Sequence, residues 1–271
     1  MKNQKNRNEL IFSDLDGTLL DHHDYSFSAA LEALSTLKQN AIPLILTTSK
    51  TFSEVVELQK EMDILEPCIV ENGAGIFIPS SSELASELPF KEEWIKISKA
   101  YSYIELRMFF VEMKREFSMR GFGDMSVDEV MERTGLDANG ATNAMKRDFS
   151  EPFIIEDASL IPLLKSEANK EGLDVLKGGR FYHLVSLHQD KANAMITLTD
   201  MYQKYYNTPF TKIALGDSAN DFTMLQRADV GVLVPLYDGS FATLDAPRVI
   251  RAKEPGPKGW NSFILERYDA K

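Results

Sequence analysis

Short apolar runs alternate with stretches of helical period at the start of the chain. Leu10–Ser13 is an apolar run ahead of a turn-like Asp-Gly-Thr sequence. Ser28–Gln39 carries Leu31, Leu34 and Leu37 on one helical face, and Ser53–Met62 does the same with Val55, Leu58 and Met62. Pro43–Thr47 and Cys68–Val70 read as two more strands. This order of strand, helix, strand, helix, strand predicts a parallel sheet with right-handed crossovers.

Residues 84–187 break the alternation. Helices are expected over Ile104–Phe117 and Leu160–Glu171, and a third after the capping-box pair Ser126 and Glu129, ahead of Val130 and Met131. Leu173–Leu176 and Phe181–Leu187 read as a strand pair joined through Gly178-Gly179. Such an α+β insertion is long enough to form a small domain. The alternation then resumes with a helix over Lys191–Tyr205, a strand over Lys212–Leu215 and a short helix over Asp221–Arg227. Strands over Asp229–Val234 and Arg248–Arg251 follow, then a closing helix over Gly259–Glu266. The expected architecture is α/β: a doubly wound, Rossmann-like parallel-sheet core over 1–83 and 188–271, with an α+β domain inserted at 84–187.

The 271 residues are 44% hydrophobic and 26% charged, as in ordinary globular chains. A net charge of −11 argues against nucleic acid or an anionic membrane as partner. It also requires any site for an anion to carry its own local cations. The single cysteine, Cys68, allows no intrachain disulfide and fits a reducing compartment. Within Cys68-Ile69-Val70 it reads as core. Met1–Asn8 is polar and basic, and Leu10-Ile11-Phe12 is interrupted at once by Ser13 and Asp14, so no secretory signal is read. No apolar run has the length of a membrane span. A cytoplasmic enzyme is expected.

Open parallel sheets bind ligands at the carboxyl ends of their strands. Three predicted strands end there in polar residues: Asp14-Leu15-Asp16-Gly17-Thr18, Thr48-Ser49-Lys50, and Gly216-Asp217-Ser218-Ala219-Asn220-Asp221. Four carboxylates, Asp14, Asp16, Asp217 and Asp221, are expected to meet at this edge. Crowded carboxylates call for a hard cation, and Mg²⁺ binds through a few carboxylates plus substrate phosphate. A carboxylate can attack phosphorus to give an acyl-phosphate. The transferring group then needs cations and donors, which Mg²⁺, Lys191, Thr48 and the turn amides near Leu15 and Gly17 would supply.

This set of motifs resembles the haloacid dehalogenase superfamily of phosphatases: an apolar strand with D-x-D-G-T, a strand ending in Ser or Thr, a Lys, then G-D-x-x-N-D. The resemblance covers the whole core. It implies that Asp14 is the nucleophile and Asp16 the general acid and base. It further implies that Thr48 and Lys191 contact phosphate, and that Asp14, Asp16, Asp217 and Asp221 serve the metal site. An α+β cap inserted after the third strand is also a feature of that family, and its closure would exclude water and select substrate.

A narrower resemblance, to the mannosyl-3-phosphoglycerate phosphatases, rests on Thr48–Thr51, Glu71–Gly73, Thr134–Leu136, Arg147 through Glu151-Pro152-Phe153, Lys177–Arg180 and Pro255–Trp260. Lys146–Phe149 departs from the Arg-Glu-Tyr wording of those proteins by conservative swaps. The resemblance implies a small phosphorylated sugar acid as substrate. Its extra carboxylate suits Arg, which binds carboxylates bidentately. Ser49, Lys50, Arg147, Lys177, Arg180 and Asn220 are therefore candidate substrate contacts.

Blander readings stand beside these. Asp217 and Asp221 can cap a helix. Lys177 and Arg180 can sit on a solvated hairpin, and Arg147 can pair with Glu151. His22 and His23 read as a solvated loop, His183 as packed or ligand-facing, and Trp260 as packing. A broad sugar-phosphate phosphatase, a phosphomutase and a phosphoryl-accepting receiver module are rival functions. Asp16 and the insertion count against the last of these.

Overall fold

Four of the five residues of the first strand, β1 (Glu9–Ser13), are buried, as in a sheet covered on both faces. A computed structural model describes residues 8–88, 92–177 and 180–268. After β1 come α1 (Leu31–Gln39), β2 (Leu44–Thr47), α2 (Phe52–Glu61) and β3 (Cys68–Val70). A tight turn then leads into β4 (Gly75–Pro79) and β5 (Trp94–Ser98). The inserted segment holds α3 (Tyr103–Met113), β6 (Met119–Gly121), α4 (Val127–Thr134), α5 (Ala138–Met145), β7 (Glu151–Ile155), α6 (Ile161–Lys170), β8 (Leu173–Lys177) and β9 (Tyr182–Ser186). The chain returns through α7 (Lys191–Tyr206), β10 (Thr211–Gly216), α8 (Phe222–Arg227), β11 (Val230–Leu233), β12 (Ile250–Arg251) and α9 (Gly256–Tyr268).

The core sheet runs β12-β11-β10-β1-β2-β3-β4-β5. It is parallel from β12 to β3. From β1 the chain moves outward to β2 and β3 on one side, and later to β10, β11 and β12 on the other. The order therefore reverses at β1, where a crevice opens beyond the strand ends. One face is covered by α1, α2 and α9 through Leu34, Leu37, Val55, Trp260 and Ile264. The other is covered by α7 and α8 through Met195, Leu198, Met224 and Leu225. The α/β, doubly wound expectation holds for this core.

The expected boundary at 84 needs correction. β5 pairs antiparallel with β4 from Gly75↔Ser98 to Pro79↔Trp94 and forms the edge of the core sheet. β4 is buried at all five residues. Without β5 its outer backbone groups would be buried and unpaired, which is costly. Only after Ser98 does the chain leave the core. The second sheet, β6-β7-β9-β8, is antiparallel, with apolar clusters of its own around Phe110 and Phe153 and around Phe122 and Val130. The Ser126–Glu129 capping box forms as expected, while the Gly178-Gly179 turn expected between β8 and β9 lies outside the described residues. Among the described residues no helix is long and apolar enough to cross a membrane.

Glu66, between α2 and β3, is partly buried beside Tyr202, and burial alone pushes its carboxyl up to about 7. The unfolded carboxyl ionises near 4.5, so between these values the unfolded chain holds fewer protons. Stability therefore falls as pH rises through that window. Glu66→Gln is expected to raise the urea midpoint at about pH 8 and to change it little near pH 4.5. An unchanged midpoint at the higher pH would contradict this reading.

Candidate active site

The end of β1 is fixed from several directions. Asp14 N–H donates to Leu215 O at 2.9 Å, extending the pairing with β10 by one residue. The Ser13 hydroxyl donates to Asp14 O at 2.7 Å and accepts the Trp260 indole N–H at 3.0 Å. Trp260 is thus more than packing: it reaches the backbone of the site through Ser13. The chain then turns tightly, with Thr18 and Leu20 N–H both bonding to Leu15 O. Gly17 adopts φ 77°, and a Cβ there would lie 2.7 Å from Asp217 Oδ2. The turn therefore requires glycine for both its φ and its closeness to Asp217.

Three carboxylates, Asp14, Asp217 and Asp221, gather so that one oxygen from each lies within 4.8 Å of the others. Lys191, fully buried at the first turn of α7, places its Nζ 2.6 Å from Asp14 Oδ1 and 2.7 Å from Asp221 Oδ1. An ammonium in a helix's first turn opposes the helix dipole, and these two carboxylates offset that cost. They also hold Lys191 firmly protonated, its pKa raised against the effect of burial. Asp221 is fully engaged: Oδ2 accepts the Asp217 and Ser218 N–H groups at 3.1 Å each, while Oδ1 takes Lys191. It acts as a loop organiser as well as a charge.

One ammonium against three carboxylates leaves an excess of negative charge. Burial, then the charge of Asp221, raises Asp14 well above the usual carboxylate range, although Lys191 pulls the other way. The same two causes push Asp217 up to about 7. A buried excess of carboxylate oxygens suits a hard cation, so these residues can hold a metal ion.

Asp16 departs from expectation. Its carboxylate does not join the cluster but pairs with Lys50, Nζ to Oδ1 2.9 Å, with 43% of its side chain exposed. The strand-end turn aims alternate residues differently, so the four expected carboxylates become three plus one. Lys50 also lies 3.9 Å from Glu54 and 5.1 Å from the Tyr25 ring centroid. Thr48 is buried, bonds through its N–H to Ile69 O at 3.0 Å, and accepts the Lys50 N–H on its hydroxyl at 3.2 Å. The hydroxyl hydrogen remains available to a ligand.

The remaining candidates divide. Arg147 reaches from the inserted segment to the core, donating through Nη1 to Ser49 O at 2.9 Å and through Nε to Ala144 O at 2.8 Å. It does not pair with Glu151, which is buried with Arg107 at 2.9 Å. Asn220 donates to the Asn72 side chain at 3.1 Å. Arg180 turns instead to the carbonyls of Arg133 and Thr134 at the end of α4, where cations are favoured, and Lys177 stands exposed at the end of β8. Neither has a contact that ties it to the cluster. His183 is kept neutral by burial and by Arg147, its pKa lowered to about 3. That influence of Arg147 on His183 was not legible from the strand pattern. His22 is exposed and stacks on Tyr237, 4.5 Å between centroids.

The model of the haloacid dehalogenase-like hydrolases matches residues 11–235. The chain belongs to this family. It is 42% identical over 256 residues to the glucosyl-3-phosphoglycerate/mannosyl-3-phosphoglycerate phosphatase of Persephonella marina, covering 94% of this chain and 95% of that one. The protein of the same name in Methanococcoides burtonii is 37% identical over 268 residues, 95% of this chain and 96% of that one. Among solved structures, a protein of Thermoplasma acidophilum aligns with a TM-score of 0.69 at 20% identity, covering 96% of this chain and 98% of that one. The sucrose-phosphatase of Synechocystis aligns with a TM-score of 0.63 at 16% identity, covering 97% and 98%. At these identities the structural likeness is one of fold.

A divalent cation is expected to raise the melting temperature of the wild type. Asp217→Asn should weaken that cation's binding by at least roughly tenfold, the smallest loss typical of outer-shell partners alone. Asp16→Asn should leave it nearly intact. Equal cation-induced shifts in wild type and Asp217→Asn would place the ion elsewhere.

Proposed function

We propose that the chain is a Mg²⁺-dependent phosphatase that converts mannosyl-3-phosphoglycerate to mannosylglycerate and phosphate through an aspartyl-phosphate on Asp14. The observation that carries the reaction type is the position of Asp14. It is a buried carboxylate at the crevice where the strand order reverses, held by Lys191 2.6 Å away and facing Asp217. The substrate class is supported by the two relatives, named for both glucosyl- and mannosyl-3-phosphoglycerate, which align over nearly the whole chain, inserted segment included. A broader sugar-phosphate phosphatase is the alternative on the same core.

The free oxygen of Asp14 attacks phosphorus, and the bond from phosphorus to the ester oxygen breaks. Asp16, as general acid, delivers a proton to the departing glycerate oxygen. In the second half Asp16 takes a proton from water, whose oxygen attacks the phosphorus of the acyl-phosphate and regenerates Asp14 with free phosphate. Lys50 keeps Asp16 pointed to one side of the cluster, so nucleophile and proton carrier stay distinct. Lys191 and the Thr48 hydroxyl meet the phosphoryl oxygens. Asp14 and Asp217, with Asp16 and Asp221 beside them, would hold Mg²⁺, which would supply the charge that lets an anionic ester approach a carboxylate.

The inserted segment serves as a cap, and Ser49, Lys50 and Arg147 face the glycerate carboxylate at its junction with the core, with Asn220 beside them. The exposed Lys177 and Arg180 contribute less. The single cysteine fits a reducing compartment, and the site of action is the cytoplasm.

Asp16→Asn is expected to lose ~10²–10⁴-fold in turnover, and Asp14→Asn to form no phosphoenzyme at all. Phosphate release from a substrate panel tests the rest. Mannosyl-3-phosphoglycerate should be preferred to simple hexose phosphates, and only with Mg²⁺ present. Equal rates on hexose phosphates would leave the broader reading standing.

A further inference from the structure

The loop after β3 holds a buried carboxylate that the proposed chemistry does not use. Glu71 is 1% exposed, and both its oxygens point at the inserted segment rather than at the core. Oε1 accepts the Asp148 N–H at 2.8 Å. Oε2 accepts the Phe149 N–H at 3.1 Å and the Ser150 hydroxyl at 2.5 Å. An acceptor-only group is what two amides and a hydroxyl require. The carboxylate carries no ion pair with a lysine or arginine within 4 Å among the described residues, and Arg147 is the cation that acts on it electrostatically.

The same loop grips the core. Glu71 N–H donates to Lys50 O at 3.0 Å and Asn72 N–H to Thr48 O at 2.9 Å. The Gln189 side chain donates to Glu71 O at 2.6 Å, just ahead of the helix that carries Lys191. Glu71 and Asn72 are both in the left-handed region, at φ 48° and 59°, where side chains are rare unless surroundings hold them. Gly73 follows at φ 94°, and a Cβ there would lie 2.1 Å from Asp190 O. The segment that Glu71 binds begins one residue after Arg147. It buries Phe149 in the core cluster with Phe77.

We infer that Glu71 is a positioning residue: it clamps residues 148–150 to the loop after β3, which is itself bonded to the Thr48–Lys50 loop after β2, and so sets Arg147 against Ser49 where the substrate's carboxylate binds. This deepens the proposed function and rests on it for the identity of the substrate. The arrangement explains why a segment remote from the phosphoryl site needs a buried charge. The cap has two covalent connections to the core, near 99–102 and 186–190, and the clamp adds a buried, charged one to the hydrogen bonds of Arg147 with Ser49 and of Thr51 with Asn143. Its loss should loosen recognition of the part of the substrate that the cap contacts and leave the core's phosphoryl chemistry in place.

The test uses the full chain with Mg²⁺ as wild type, Glu71→Gln and Ser150→Ala. Gln keeps the shape but sets an NH₂ group against a donor. For mannosyl-3-phosphoglycerate, KM should rise about tenfold or more in Glu71→Gln, with kcat changed far less, and less steeply in Ser150→Ala. For para-nitrophenyl phosphate, which has no carboxylate or sugar, kcat/KM should stay within about twofold. Hydrogen exchange is the second readout: the amides of Asp148 and Phe149 should exchange at least about tenfold faster in Glu71→Gln, while those of β1 keep their wild-type rates. Equal losses on both substrates, or unchanged exchange at Asp148 and Phe149, would overturn the clamp. Should wild type fail on mannosyl-3-phosphoglycerate, the substrate assignment falls, and the exchange rates alone decide whether Glu71 holds the segment.

Discussion

The ammonium of Lys191, buried between Asp14 and Asp221, is the constraint on which the site depends. Three carboxylates cannot share a buried cleft without compensation, because each raises the cost of ionising the next. Lys191 compensates for part of that charge and ties together three parts of the chain: the end of β1, the start of α7 and the loop after β10. Removing it would leave uncompensated buried carboxylates, which is more damaging than replacing the whole cluster. The remaining negative charge is what suits the cluster to a cation. Stability and chemistry thus draw on the same excess charge.

Around this centre the fold supplies direction. The reversal of strand order at β1 puts Asp14 and Asp217 on neighbouring strands with their ends level, through the pairing Ser13↔Leu215. Ser13 and Trp260 hold the backbone from below, and Gly17 lets the turn pass close to Asp217. The inserted segment then reaches down through Arg147 to Ser49 and through the 148–150 stretch to Glu71. The inserted segment thus meets the core at two neighbouring loops, those after β2 and β3.

Much of this was legible in the sequence, and for a physical reason. Parallel strands read as apolar runs, and the polar residues that interrupt them at their ends, such as Asp14, Thr48 and Asp217, stand out. Lys191 was visible because a lysine in a first helical turn is out of place without a partner. Antiparallel β4 was not legible as a strand, nor β5 as part of the core, because they follow a tight turn and their pairing depends on register rather than on local pattern. The orientation of Asp16 was equally hidden: D-x-D shows two carboxylates but not that one turns to Lys50. Arg180 looked free beside two glycines, yet it finds the end of α4, a contact set by tertiary packing. Glu71 appeared only as part of a similar stretch. Its role emerges when residues about eighty positions apart in the chain come together, as for Ser150.

The central claim is that Asp14, of all the carboxylates present, is the one that carries the phosphoryl group, with a metal ion beside it and Lys191 across from it. A crystal structure of the protein with Mg²⁺ and beryllofluoride, a mimic of an acyl-bound phosphoryl group, addresses this most directly. The account predicts beryllium bonded to the Asp14 carboxylate, with the ion between it and Asp217. Beryllofluoride on Asp16, Asp217 or Asp221, or a cation bound away from this cluster, would contradict it.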